Sequence, residues 1–255
     1  STSLAGVLAT TGLADAQQTE LLLRYAQHDG PVDAFWTDLR DASEVDDAQI
    51  ENLQFTLQLG TLTGGYVPLV EALQAQTRDE ASLDALVAMD TGDWMDLIET
   101  TGIPDFVKGD TPSERAHAYA DTLSGVLERA FPTPSVAAKI KQSAGDDDQD
   151  LVRFFENSPE FAFTSSIDRF LEEHADTALE GIDDVVALTQ ELKRLQRVYN
   201  LAPVEGRYEG MEALLQADLD SALAITQMGK EPFLKAFDSG LNGSAETVFA
   251  KAQQV

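Results

Sequence analysis

LDALVAMDTGDWMDLI at residues 83–98 and MEALLQADLDSALAIT at residues 211–226 are one short pattern written twice. Aligned without a gap, Ala85 matches Ala213, Leu86 matches Leu214 and Asp90 matches Asp218. Leu83, Asp84, Val87 and Leu97 face the chemically similar Met211, Glu212, Leu215 and Ile225. Each copy reads as an apolar helical turn, a break containing an Asp, and a second helix start. Asp90 and Asp218 are the expected helix-start residues. A unit this small cannot bury its own apolar face, so neighbouring helices must cover it. The fold class that follows is all-α: an irregular array of many short helices with repeated helix-turn-helix modules, in two lobes or one domain.

The rest of the chain agrees. Period-two runs rich in Val, Ile and Thr are scarce, and helix signals are frequent. Thr111, Pro112 and Glu114 read as N-cap, first helical position and third position of one helix. Its apolar stripe runs through Ala116, Tyr119, Ala120, Leu123, Val126, Leu127, Ala130 and Phe131, and Pro132 and Pro134 stop it. A second strong helix is expected over 182–199, with Ile182, Val185, Val186, Leu192, Leu195, Val198 and Tyr199 on its buried face. Weaker patterns predict helices near 14–28, 32–41, 46–59, 65–76, 135–142, 148–156, 165–175, 208–216, 230–238 and 244–254. The polar run QSAGDDDQD, residues 142–150, separates two patterned halves and predicts an N-terminal lobe over 1–142 and a C-terminal lobe over 150–255.

Composition narrows the function. The 255 residues carry 17 basic and 45 acidic side chains, a formal net charge of −28. Phosphates would be repelled, which argues against nucleic acid and against anionic lipid surfaces. The 43% apolar content supports a real core. Asp outnumbers Glu and Lys is scarce, which suits a salt-adapted source and a generally acidic, soluble surface alike. Cysteine is absent, so disulfides, thiolate metal sites and a Cys nucleophile are excluded. No stretch approaches a membrane span of roughly 20 apolar residues. A first residue of Ser1 with no apolar signal peptide behind it is expected of a fragment of a longer chain.

Several residues invite a chemical reading. Glu114 and His117 form a Glu-x-x-His pair with Asp121 one turn on, the spacing used by carboxylate-bridged metal sites in helical bundles. Such sites need the pair twice, and only one is present, so a solvated polar face competes with a helical metalloenzyme. Asp146, Asp148 and Asp150 alternate like calcium-loop ligands, but the required Gly and Glu positions are Leu151 and Asn157. His28 and His174 lack partners at metal-ligand spacing. GTLTGG, residues 60–65, lacks the Lys-Ser/Thr of a phosphate loop and reads as a helix-to-helix corner with Pro68 early in the next helix. Lys193, Arg194, Arg197 and Arg207 are the densest basic cluster: a docking patch for an acidic partner, or local pairs such as Glu191 with Arg194. Phe154, Phe155, Phe161, Phe163 and Phe170 read as core rather than a partner-facing patch. Asn242-Gly243-Ser244 matches a glycosylation acceptor. No residue here predicts a bound cofactor.

Four strings carry a resemblance: LQLGTLTGGYVPLV (57–70), AFPTPSVAA (130–138), FFENSPEFAFTSSIDRF (154–170) and LKRLQRVYNLAP (192–203), the last running into GMEALLQADLDSALAITQMGKEPFLKAF (210–237). In order and spacing they resemble the helical region of the A-subunit of Tc (toxin complex, or ABC) insecticidal toxins. The resemblance covers most of the chain. It implies a non-catalytic structural segment of a large secreted toxin-delivery protein. In that family the A-subunit is a homopentamer whose helical shell surrounds a translocation channel and contacts host cells. The implied partners are other domains or subunits of the same complex and a host-cell receptor, with no membrane insertion by this segment. The channel and linker regions of the family are not in this sequence. The other reading of the residues is a free-standing helical protein-interaction module.

Overall fold

A computed structural model describes residues 3–30, 32–41, 46–77, 83–145 and 148–254. The fold is all-α: among the described residues every regular element is a helix. The chain divides into two compact units, Ser1–Val126 and Leu127–Val255. The first holds α1 (Leu4–Ala9), α2 (Asp15–Gln27), α3 (Val32–Asp41), α4 (Asp47–Leu62), α5 (Val67–Gln76), a 3-10 turn (Leu83–Leu86) and α6 (Thr91–Thr101). Helix α7 (Pro112–Ala130) runs through the division. The second unit continues with α8 (Pro132–Ser143), α9 (Gln149–Asn157), α10 (Ile167–Glu173), α11 (Ala175–Ala178), α12 (Val185–Leu201), α13 (Arg207–Gln216), α14 (Ala222–Met228), α15 (Lys230–Phe237) and α16 (Ala245–Gln254).

The boundary expected at 142–150 is corrected to Val126/Leu127. Val136, Ala137 and Ile140 of α8 are buried in the same core as Leu151, Phe154 and Leu192, so the polar run only links α8 to α9 inside the second unit. Pro132 also does more than stop α7. It is the first residue of α8, where its fixed φ suits a helix start and its missing N–H is not needed. Val185 and Val186, expected on the buried face of α12, are 39% and 68% exposed; the burial of that helix begins at Leu188.

In the first unit, GTLTGG closes α4. Gly65 N–H donates to Gly60 O at 2.7 Å and Gly64 N–H to Thr61 O at 3.4 Å, the paired bonds of a left-handed helix end. Gly64 has φ +65°, and a Cβ there would lie 2.7 Å from the Phe106 ring, so glycine is required twice over. The buried Tyr119 hydroxyl donates to Thr63 O at 2.8 Å, and Tyr66 reaches Thr101 O at 2.6 Å. Burial, with Tyr66 beside it, pushes the Tyr119 phenol well above its ordinary pKa and keeps it neutral. The corner then turns into α5, with Pro68 in its first turn.

In the second unit, Phe163 organises the core from a loop. It is fully buried, with its ring 4.8 Å from Tyr199 of α12 and 5.3 Å from Phe161. Its N–H donates to Thr133 Oγ1 of α8 at 3.1 Å. Its carbonyl and that of Ser165 both accept from Gln196 Nε2 of α12 at 2.7 Å. The Phe residues are core, as the sequence suggested: Phe154, Phe161 and Phe170 meet edge to face at 5.1 to 6.1 Å.

The two copies of the repeat fold differently. Asp90 caps α6, its Oδ1 accepting from Asp93 N at 2.9 Å while Asp93 Oδ2 accepts from Asp90 N at 3.0 Å. Asp218 does not start a helix, contrary to expectation. It ends α13 at φ +56°, with its N–H bonded to Leu215 O at 3.1 Å and Leu219 N–H to Leu214 O at 2.9 Å. Ser221 caps α14 instead, three residues later than the alignment implies. Upstream, ten residues of α13 stand where the first copy has a single 3-10 turn of four.

Replacing Asp218 by Gly removes the left-handed penalty of a β-carbon and is expected to stabilise the protein by about 0.5–1 kcal/mol in urea unfolding. A loss of stability would show that the Asp218 side chain makes a compensating contact. Thr133→Val removes the acceptor for a buried N–H and is expected to cost about 1–3 kcal/mol. An unchanged unfolding midpoint would contradict the role given to Phe163.

Candidate functional site

Three of the four basic residues, Lys193, Arg194 and Arg197, are paired locally with carboxylates, and Arg207 meets a tyrosine ring instead. Lys193, Arg194 and Arg197 are successive outward positions of α12, set by the inward Leu192, Leu195 and Val198. Lys193 Nζ lies 2.5 Å from Asp168. Arg194 reaches Glu191 at 3.4 Å and Asp220 at 3.5 Å, and Arg197 reaches the same Asp220 carboxylate at 3.7 Å. Arg197 Nε also donates to Asp220 O at 3.2 Å, holding the segment that leads into α14. Arg207 opens α13 and lies over the ring of Tyr199, its guanidinium carbon 4.1 Å from the ring centroid. These contacts give all four cations a structural partner within the second unit. The exposed pairs among them are individually weak.

Glu114 and His117 serve their own helix. The Glu114 carboxylate accepts from Asp110 N at 2.9 Å and Thr111 N at 3.2 Å, while Thr111 Oγ1 accepts from Glu114 N at 3.2 Å. That is the capping box read from the sequence, and it occupies the carboxylate a metal would need. His117 Nδ1 sits 2.8 Å from Ser113 O, one turn back. Among the described residues, no three His, Asp or Glu side chains converge as metal ligands. His28 lies edge-on to Phe35 and 3.9 Å from Asp38; His174 stacks on Phe170 at 4.5 Å, with Glu160 at 3.6 Å.

Of the acidic run, Asp146 lies outside the described residues. Asp148 accepts from Gly145 N at 3.1 Å. Asp150 accepts from Asp184 N at 2.8 Å and Asp183 N at 3.1 Å, bracing the turn before α12. Those backbone bonds hold its carboxyl below the ordinary value. Elsewhere in the second unit, Lys139 bridges Glu128 at 2.8 Å and Glu209 at 2.7 Å, tying the end of α7 to α8 and α13. Burial lowers the Lys139 pKa, but the two carboxylates outweigh it and the net shift is upward.

The concavity with the makings of a binding site is elsewhere, in the first unit, and of the candidate residues only Gly60, Thr61 and Gly65 of the GTLTGG corner line it. A trough of about 690 Å3 opens between α1, α2, α3 and α4. Leu8 and Leu21 form its floor, and Leu4, Leu22 and Tyr25 line its mouth at 54%, 36% and 52% exposure. Trp36 and Leu57, half-buried, close its sides. A signal for it existed in the sequence. The run Leu21-Leu22-Leu23-Arg24-Tyr25 carries more apolar surface than one inward stripe of α2 can bury.

Asp150→Ala is expected to lower the melting temperature at neutral pH. A carboxylate whose folded pKa is depressed stabilises above its unfolded value and loses that contribution as pH falls through the folded one. The difference between variant and parent should therefore shrink below the ordinary Asp value of 3.8. A gap in melting temperature that stays constant with pH would remove the role given to the carboxylate. No protein-family model, curated protein or solved structure matches this chain.

Proposed function

We propose that this chain is a non-catalytic structural segment of a large secreted toxin-delivery protein, similar to the helical shell of Tc toxin A-subunits. One observation carries the reading: the strings that bear the resemblance are the ones that make the fold. Thr133, Phe163 and Gln196, from three different strings, meet in the Phe163 contacts. The fourth string supplies the Gly64–Gly65 corner between α4 and α5. A likeness carried by corners and core is a likeness of architecture. The polar residues that invited a chemical reading support the same view. Glu114 caps a helix, Asp150 braces a turn, and the α12 cations pair with neighbouring carboxylates. On this reading the partners are neighbouring domains or subunits of the same complex and a host-cell receptor.

The test is the size of the whole gene product that contains these residues, recovered from culture medium and measured by light scattering. The expected result is a homo-oligomer, a pentamer by the resemblance, whose subunit far exceeds 27.6 kDa. A secreted or cytoplasmic monomer of about this chain's mass would overturn the proposal.

A further inference from the structure

The trough between α1 and α4 has a shape, a surface and a surrounding charge that together specify an occupant. Its surface comes first. Leu4, Leu22 and Tyr25 are large, exposed and contiguous with Trp36 and Leu57 along a concave strip. Apolar surface gathered this way marks a contact site, unlike single exposed leucines scattered over a monomer.

The shape comes from α4. Glu51, Gln54, Gln58 and Thr61 recur at three- and four-residue spacing, so they form one stripe along the helix, and the last three line the trough. Seven residues of rise from Gln54 to Thr61 make that wall about 10 Å long. A straight helical wall of this length suits another helix lying alongside, with apolar anchors every third or fourth residue.

Charge selects among helices. Residues 1–62 hold ten carboxylates against two arginines. Arg24 is paired with Glu20 at 2.8 Å, and Arg40 faces Asp47 at 3.9 Å. Asp47 and Glu51, both exposed, continue the α4 stripe beyond the trough, and Asp15, also exposed, starts α2. Among the described residues no cation lines the trough; α4 contributes Gln54, Gln58 and Thr61 as its polar side chains. A fatty acid or phospholipid would need a positive group at the mouth for its head, and acidic residues stand nearby instead. We infer that this trough binds an amphipathic helix of a partner protein, with leucine or aromatic anchors flanked by Lys or Arg. The inference is independent of the shell proposal, since the chain alone is enough to bind a peptide.

The experiment titrates the purified chain with a helical peptide of about 16 residues, built from Leu and Lys with a 3.6-residue apolar period. Trp36 fluorescence reports binding, against a constant background from the fully buried Trp94. Two control peptides replace every Lys by Glu or scramble the same composition. The Leu/Lys helix should blue-shift Trp36 and bind at least tenfold more tightly than either control. Leu22→Asp should weaken it at least tenfold, while Leu223→Asp, on an exposed position of α14, should leave it unchanged. If Leu22→Asp loses helix content, Leu4→Asp takes its place. Equal binding of the scrambled peptide would show charge attraction alone and overturn the inference. So would preference for the Glu peptide, or indifference to both trough variants. Self-association that shifts Trp36 without peptide would make a second copy the occupant and overturn it as well.

Discussion

Phe163 lies outside any helix, yet the second unit is assembled around it. A buried loop residue is a liability, because its N–H and C=O lose water without gaining a helical partner. Here Thr133 takes the N–H and Gln196 supplies a donor to the carbonyl. The ring meanwhile packs at a tilt against Tyr199, one turn from Gln196 on the same helix. Short helices such as α10 and α11, with seven and four residues, are not stable alone. Helix α10 packs Phe170 against Phe161 of that loop, which the two polar side chains fix, and α11 packs on α9 and α10. The other ties of this unit act at its periphery. Arg153 donates to Gly181 O and Asn157 to Glu180 O, pinning the turn after α11.

A net charge of −28 should work against compactness, and its distribution explains how it is tolerated. Many of the acids sit where a helix begins. Asp46, Asp90 and Asp184 each accept a first-turn N–H of α4, α6 and α12, and Glu114, in the first turn of α7, accepts the N–H of Thr111 just ahead of it. A carboxylate there meets the positive end of the helix dipole. An array of many short helices has many such ends, so it can absorb more acid than a few long helices would. The scarce cations are spent in the same economical way. Lys139 and Asp220 each serve two partners, one as donor and one as acceptor.

Much of this was legible from residue pattern. The all-α class, the capping box at Thr111 and Glu114, the glycine corner and the aromatic core all follow from local rules that tertiary context did not override. The failures share a cause: each required knowing which neighbour a segment meets. QSAGDDDQD looks like a linker, but α8 before it belongs to the core after it. Asp218 aligns with Asp90, but a ten-residue helix upstream needs a terminator where a single turn did not. Val185 and Val186 fit the apolar period of α12 but fall in a first turn that its neighbours leave uncovered. The trough was missed because α1 carries too little pattern to predict, and without it the surplus leucines of α2 have no groove to line.

The Phe163 contacts are the constraint that holds the second unit together, and amide hydrogen exchange tests this at one atom. An N–H in an ordinary surface loop exchanges through local fluctuation at almost no free-energy cost. The Phe163 N–H, bonded to Thr133 Oγ1 and buried, should instead exchange as slowly as the amides of Leu192 and Leu195 in α12, through the same cooperative opening. Loop-like exchange at Phe163 with protected α12 amides would contradict the account, because α12 would then be stable without the contact said to organise it.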